Sequence, residues 1–504
     1  MMGNPKNTQP KLFYHNISLE QRVHKDHPLR AIKQLIDFTY IRSQVADLYG
    51  TNGNPSVDPA VILKLMFLLF YENVKSERAL MRQMPVRLDW LWFCDYDFDD
   101  EIPDHSVISK ARKRWGPDAF EQFFTNILEQ CINAGLIDGE TIYIDSSTID
   151  GNADIDKVKP QLRQVCKDLT EKLEDTIEPN EQPHDTDDRQ TDDPEKLEKR
   201  VNPVDPDARI GRKYGKSTLG YKDHRVVDDK HGIITATITT PANLNDDKVL
   251  QQGVETHEAN TASKIRTATA DKIYGTIENY KFLHSRGARA CIPHQKHGIK
   301  EVGKFSHEKF RYDQKQDCYI CPAGEKLERY DHTGTHGSGH RYRAKRETCE
   351  QCKFFSKCVS SKQHGRQISR NIDAEYVEWA DGCFKGYQRK TLLSRRQYKS
   401  EGSFADAANN YGFKRARWRG IAKMRIQNLM IAAIQNIGKL LRYGSDKGSR
   451  NTSAVSKQAI FVVAEAVFIR LSSFCAACER IFNYQRANPA YAGKFCCEQK
   501  FRPK

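Results

Sequence analysis

The sequence predicts an α+β or α/β protein: a helical N-terminal domain, then a mixed-sheet core interrupted by a Cys-rich, zinc-ribbon-like insertion. Three observations predict it. Apolar residues recur at helical spacing through residues 29–135. Beyond that the period changes, and strand-like runs alternate with helical ones up to about residue 293. Two CxxC pairs, Cys318 with Cys321 and Cys349 with Cys352, then fall in a basic stretch before helical patterning returns.

Residues 1–20 read as a flexible arm and 21–137 as the helical domain. Asp58 suits a helix cap and Pro59 the first helical position, ahead of the apolar run Leu65, Met66, Leu68, Leu69 and Phe70. Ser76 opens another helix, and Trp90, Leu91, Trp92 and Phe93 read as packing anchors. Asp104-His105-Ser106 precedes a short basic helix carrying Lys110, Arg112, Lys113 and Arg114. The first part of the core, 138–293, opens with a strand at 141–146. An acidic insertion follows at about 160–210, with Asp185, Asp187, Asp188, Asp192 and Asp193 close together, and it reads as a solvated linker. Two strands flank a His231-Gly232 turn as a hairpin. Then come a helix at 247–260, a strand at 265–270, a helix at 275–286 and a strand at 288–292. The Cys-rich insertion occupies 294–390, helices return at 392–410 and 421–442 within 391–444, and 445–504 form a tail of unclear structure.

A net charge of +14 over 504 residues favours a polyanionic partner. The N-terminus has no apolar core, so it is not a secretory signal. The longest apolar run near the end, 459–471, is short and contains Glu465, which argues against a membrane span. A soluble cytoplasmic protein is expected. In that compartment clustered cysteines point to metal rather than disulfides.

Asp145 ends one apolar run, Asp271 ends another, and Glu401 lies in a helical segment. Two carboxylates at strand ends and one from a helix can converge on two divalent ions and drive in-line displacement at phosphorus. With this charge, the natural phosphorus-bearing substrate is a nucleic acid. Lys414, Arg415, Arg417, Trp418 and Arg419 crowd the segment after Glu401 and read as DNA contacts, as do Lys110, Arg112, Lys113 and Arg114. Each CxxC pair can give two thiolates to one tetrahedral zinc ion. Cys358 makes five candidates for four places beside Cys318, Cys321, Cys349 and Cys352, and His332, His336 and His340 lie between the pairs. Cys475, Cys478, Cys496 and Cys497 form a weaker second set.

Three stretches carry a family resemblance. They are Ile144-Asp145-Ser146-Ser147-Thr148-Ile149-Asp150-Gly151-Asn152-Ala153, Ala270-Asp271-Lys272-Ile273-Tyr274, and the segment from Arg395 through Glu401 to Ala405. Gly220-Tyr221-Lys222-Asp223-His224 and Tyr411-Gly412-Phe413 accompany them. The set resembles the DDE transposases of bacterial insertion sequences, in the branch with a cysteine-containing insertion before the catalytic Glu. The resemblance implies an RNase H-like catalytic core with Asp145, Asp271 and Glu401 binding two Mg²⁺ ions, for which Mn²⁺ could substitute. It implies cutting and joining of DNA at terminal inverted repeats and target sites, by a homodimer in the synaptic complex. Lys222, Arg395, Arg396 and Lys399 join the expected DNA contacts. The chain departs from the family twice: Ala408 stands where many relatives carry Lys, and Gln397 where an Arg is common, with Arg396 adjacent. Lys399 or Lys414 could supply the missing grip. Two alternatives stay open: an inactive or domesticated DNA-binding descendant, and a nuclease that cuts without joining.

Overall fold

The computed structural model describes residues 2, 18–160, 200–213, 215–294, 304–330, 339–359 and 363–444. Most of the expected arm, the five clustered aspartates, His332, His336, the four C-terminal cysteines and the tail lie outside the described residues. The chain divides into two compact units, Met1–Leu441 and Arg442–Lys504.

Eight helices open it: α1 (Leu19–Arg22), α2 (Pro28–Leu35), α3 (Ile41–Val45), α4 (Pro59–Tyr71), α5 (Glu77–Gln83), α6 (Leu88–Phe93), α7 (Ser106–Trp115) and α8 (Asp118–Asn133). Helix α4 starts where the sequence predicts: the Asp58 carboxylate accepts from the Ala60 N–H at 3.0 Å, and Pro59 occupies the first turn. Its residues from Pro59 to Phe70 are all buried, as expected of a helix apolar on every side. Phe38 lies 5.6–6.0 Å from the rings of Phe67, Phe93 and Phe123, which ties α4, α6 and α8 together.

A six-stranded mixed sheet follows. Its central strand β1 (Thr141–Asp150) is followed along the chain by β2 (Lys159–Pro160) and β3 (Arg200–Val201), a short separate pair, and then by β4 (Arg209–Lys213), β5 (Lys216–Asp228) and β6 (Ile234–Pro241). After helix α9 (Leu250–Thr261) come β7 (Thr267–Ala270), α10 (Ile277–Ser285) and β8 (Arg289–Cys291). The sheet order is β4-β5-β1-β7-β8, with β6 also on β5; β5 is antiparallel to β1, while β7 and β8 are parallel. Strand β1 outlasts its predicted end at 146 because pairing with β5 continues to Asp150 opposite Gly220. Gly220 permits this: a Cβ there would sit 2.0 Å from the Ile149 carbonyl oxygen. The hairpin turn forms as predicted, with Gly232 at φ +69°.

A second sheet, in the region read from sequence as a Cys-rich, zinc-ribbon-like insertion, has five antiparallel strands: β9 (Arg311–Asp313), β10 (Cys318–Ile320), β11 (Lys326–Arg329), β12 (Gly339–Arg343) and β13 (Gln367–Asn371). Tyr319, Leu327, Tyr342 and Ile368 form its core. Two short helices, α11 (Arg346–Glu350) and α12 (Phe355–Cys358), precede β13. The next helix, α13 (Ala374–Cys383), packs against α10 and β8, with Ala380 in the main core. The insertion therefore ends before the expected boundary at 390. Helices α14 (Gly386–Arg396), α15 (Gly402–Tyr411) and α16 (Ile421–Tyr443) complete the fold, and a π-helical turn, Gln397–Glu401, joins α14 to α15. No helix among the described residues is long and apolar enough to cross a membrane.

Candidate active site

Strand register brings the first two carboxylates together. Ile144 of β1 pairs with Ala270 of β7, so the next residues, Asp145 and Asp271, are neighbours at the same level of two parallel strands. Asp145 also pairs with Arg225 of β5 and shares a face with Ser147, two residues on. The π-helical turn contacts β1 and β5, which carries Glu401 over that face. Arg396 links the two elements: its Nη1 donates to Asp145 Oδ2 at 2.9 Å, and its Nη2 lies 3.9 Å from Glu401 Oε1.

The side chain of Asp145 is 18 % exposed and that of Glu401 55 %, so the site opens on the Glu401 side. Burial raises the Asp145 carboxyl above its ordinary range; Arg396 and the Ser146 N–H oppose this, and the nearby Asp271 and Glu401 charges add to it. Mutually repelling carboxylates on an open face suit a hard divalent cation. Among the described residues, however, no group of three or more His, Cys, Asp or Glu side chains is gathered to hold one, and at the triad the Arg396 guanidinium lies against the carboxylates.

The π-helical turn bears on the departure at Gln397. A residue five positions before another lies beneath it in a π turn, as a residue four before does in an α-helix. Arg396 is five before Glu401, and the turn brings it under the acidic group. The gap at Ala408 has a neighbour of matching charge: Lys414 Nζ donates to Ser147 Oγ at 2.7 Å, on the Asp145 face of β1. Lys399 instead points to the hairpin, where it meets the Lys230 carbonyl at 3.2 Å and Asp229 at 3.5 Å. Arg395 pairs with the same Asp229 at 3.0 Å.

Several expected DNA contacts are packed inside. Lys222 lies on the opposite face of the sheet, donating to Asp246 at 2.8 Å and to the Leu244 carbonyl at 2.7 Å. Arg112 is buried, ion-paired with Glu77 and stacked 3.8 Å over the Trp418 ring. Trp418 meets Phe70 edge-on at 5.6 Å, and Arg417 lies over Phe70 at 4.8 Å and donates to Asn73 at 2.9 Å. Burial lowers Arg417 to about 10. These three side chains fasten α4 and α7 to the segment after α15. Lys110, Lys113, Arg114, Arg415 and Arg419 are exposed, with Arg114 over the Tyr49 ring and Arg419 donating to the Asn152 carbonyl at 2.9 Å.

Sequence reasoning missed the buried polar frame that sets Glu401 against Asp145. Arg225 and Asp223 form a fully buried ion pair at 2.8 Å. Arg225 also donates to Ser403 Oγ and Gln435 Oε1, each at 2.8 Å, so the strand beside Asp145 grips α15 and α16. Asn436 makes two bonds to the Ile234 backbone, at 2.8 and 2.9 Å, and Asn428 reaches Thr239 at 2.8 Å. The repeat Gln427-Asn428 and Gln435-Asn436 in the otherwise apolar stretch from Ile426 to Gly438 was the available signal.

His224 sits on the opposite face with its Nε2 at 2.9 Å from Thr240 Oγ1, and burial lowers it to about 4. The unfolded chain then binds the extra proton between pH 6.5 and 4, so this contribution to stability is present above 6.5 and lost as pH falls through that window. The loss is about 3 kcal/mol at the low end. Denaturant titrations should show His224→Asn losing less stability from pH 7 to 4 than wild type; equal losses would contradict the assignment.

All five insertion cysteines are free thiols. Cys321 and Cys349 pack on the cluster that contains Cys358, and Cys318 and Cys352 lie outside it. Burial raises the Cys358 thiol, with Cys349, Cys321 and Cys352 adding to the rise. The Ala323 N–H points to Cys321 Sγ at 3.3 Å and the Phe354 N–H to Cys352 Sγ at 3.5 Å.

Comparison with known proteins bears on this arrangement. Residues 17–114 match a family model described as a transposase domain (DUF772), and residues 320–441 match one described as a transposase DDE domain. The two matches support a DDE transposase of the insertion-sequence type. The DDE match spans Glu401, the π-helical turn and the frame on α16; the DUF772 match spans most of the helical region. No curated protein matches the transposase chain. A cryo-EM structure of a piggyBac transposase synaptic complex with hairpin DNA is 12% identical at a TM-score of 0.34, over 85% of this chain and 75% of that one, a likeness too low to carry an argument.

Proposed function

We propose that this transposase binds the ends of its own insertion sequence and carries out Mg²⁺-dependent strand cleavage and strand transfer at Asp145, Asp271 and Glu401. The observation that carries the reading is the register of β1 and β7, which sets Asp145 beside Asp271 beneath the turn bearing Glu401. The strand order, antiparallel on one side of β1 and parallel on the other, supports an RNase H-like core. Two bound Mg²⁺ ions would polarise the scissile phosphate and activate the attacking oxygen. Asp145 and Asp271 hold their oxygens rigidly on the sheet, and Glu401 closes from the exposed side. Water attacks phosphorus and the 3′ oxygen leaves, giving a 3′-hydroxyl and a 5′-phosphate. That 3′-hydroxyl then attacks a target phosphodiester and displaces its 3′ oxygen. The exposed Lys110, Lys113, Arg114, Arg415 and Arg419 bind backbone phosphates. A second copy of the chain completes the paired-end complex. Retention of two labelled ends in one complex, followed by joining to a plasmid, tests the whole reading; cutting without joining leaves a nuclease.

Asp145 and Glu401 would hold the metal, and Arg396, which lies against both, would present its guanidinium to the scissile phosphate. Arg396→Ala should slow single-turnover cleavage about 10²-fold. Arg396→Lys should fall between, because it keeps the charge and loses the fork. Unchanged rates in both variants would remove Arg396 from the reaction.

Ala408 is the one feature that favours a DNA-binding descendant without catalysis. The Lys414 contact on the Asp145 face weighs against it.

Zinc enters only as a structural ion on Cys321, Cys349, Cys352 and Cys358. The CxxC spacing and the two N–H···S contacts support it, although the thiols are not gathered into a coordination sphere. Elemental analysis should find one zinc per chain, lost on replacing Cys358 but not Cys318; zinc-free protein of normal stability ends the idea.

A further inference from the structure

The segment from Lys385 to Ser400 contains no acidic residue and six cations. Helix α14, which makes up most of it, lies over β7 and β8, so its other side faces outward. Tyr387, Lys390, Ser394 and Tyr398 recur along that outer side at helical spacing, and all four are exposed. Tyr387 is 84 % exposed and Tyr398 80 %, the two most exposed large apolar side chains among the described residues. Arg389, Arg395, Arg396 and Lys399 each have an acidic partner; Lys385 and Lys390 are exposed.

We infer that the outer stripe of α14, with Tyr387 and Tyr398 as stacking platforms and Lys385 and Lys390 as phosphate contacts, binds unpaired DNA leading to the active site. The inference rests on the transposase reading above and extends it to residues outside the carboxylate site. The two rings stand about 16 Å apart along the helix axis. Tyr398 lies in the same π-helical turn as Glu401, three residues before it, so the stripe ends within one turn of the acidic residue. The aromatic component decides between strand forms. A base presents its face to a protein ring only when unpaired, whereas a duplex hides its faces and offers mainly phosphates and edges. A wholly acid-free stripe supplies the complementary charge.

The test compares a short single strand carrying 2-aminopurine with a duplex of the same sequence, bound to the full-length protein. Tyr387→Ala with Tyr398→Ala should weaken single-strand binding about ten-fold per tyrosine and abolish quenching of the 2-aminopurine. Changing both tyrosines to Phe should keep the affinity and the quenching, because the ring is retained. Lys385→Ala with Lys390→Ala should flatten the salt dependence of single-strand binding by roughly one unit of slope. Circular dichroism checks that these surface variants fold. Undiminished single-strand binding by the double Ala variant overturns the inference, as does an equal fall for strand and duplex. In a wild-type protein that cleaves its own ends, either result removes the stripe alone. Failure of the wild type to bind either form removes the transposase reading with it.

Discussion

Replacing any one of Asp145, Asp271 and Glu401 by Ala lowers strand cleavage by at least about 10³-fold while the protein still binds its element ends. Each carboxylate has its own position: two are fixed by adjacent parallel strands and the third by the π-helical turn. Among the described residues, the next acid on that face of the neighbouring strand, Asp223, is committed to Arg225 and does not stand in for Asp145. End binding draws on exposed cations away from the triad, so it survives. Single-turnover cleavage with a mobility-shift assay on the same labelled ends separates the two effects. Mg²⁺-dependent cleavage persisting in all three variants would place the chemistry elsewhere.

Arg225→Leu destabilises the fold by about 3–5 kcal/mol, the largest stability effect expected of a single side chain here. The substitution strands the fully buried Asp223 carboxylate, whose remaining described partner is Thr237, and cuts the bonds to Ser403 and Gln435. Adding Asp223→Asn relieves the buried charge, so the double variant should recover part of the loss. Urea unfolding of the two single variants and the double variant gives the coupling energy. Strict additivity would mean that the pair does not act as a unit. Because Arg225 stands opposite Asp145 and reaches the helix after Glu401, the partly rescued variant should also cleave more slowly than wild type.

The core strands and helices were legible because their patterns are long. Helix α4 carries a cap, a first-turn Pro and an unbroken apolar run, and β6 lies between a turn glycine and Pro241. The strands of the sheet β9–β13 have three to five residues, too few to show a period, and no long helix sets them off as α9 and α10 set off the equally short β7 and β8. Its fold rests on packed tyrosines: Tyr319 and Tyr342 lie 5.1 Å apart, and both Tyr342 and Tyr312 donate to Asp317.

At the candidate site, the structure sets Asp145, Asp271 and the turn bearing Glu401 side by side, but their surroundings differ from the sequence reading. Runs of basic residues near a site look alike in text whether they face solvent or aromatic rings. Arg112, Arg417 and Trp418 were taken as DNA contacts and pack on one another's elements; Lys222 belongs to the far face because strand alternation places it there. The Gln397 departure looked damaging because spacing was counted on an α-helix. A π turn adds one residue to the count, and only backbone geometry shows where it occurs.

The most direct test of the central claim is a cleavage-and-joining assay with the DNA that flanks this chain's own gene, run in Mg²⁺. A transposase with its site at Asp145, Asp271 and Glu401 releases 3′-hydroxyl ends and joins them to target DNA, and the Glu401→Ala variant does neither. Specific binding of those ends by the wild-type protein, with no strand cut in either Mg²⁺ or Mn²⁺, would contradict the account and leave a DNA-binding protein built on a transposase fold.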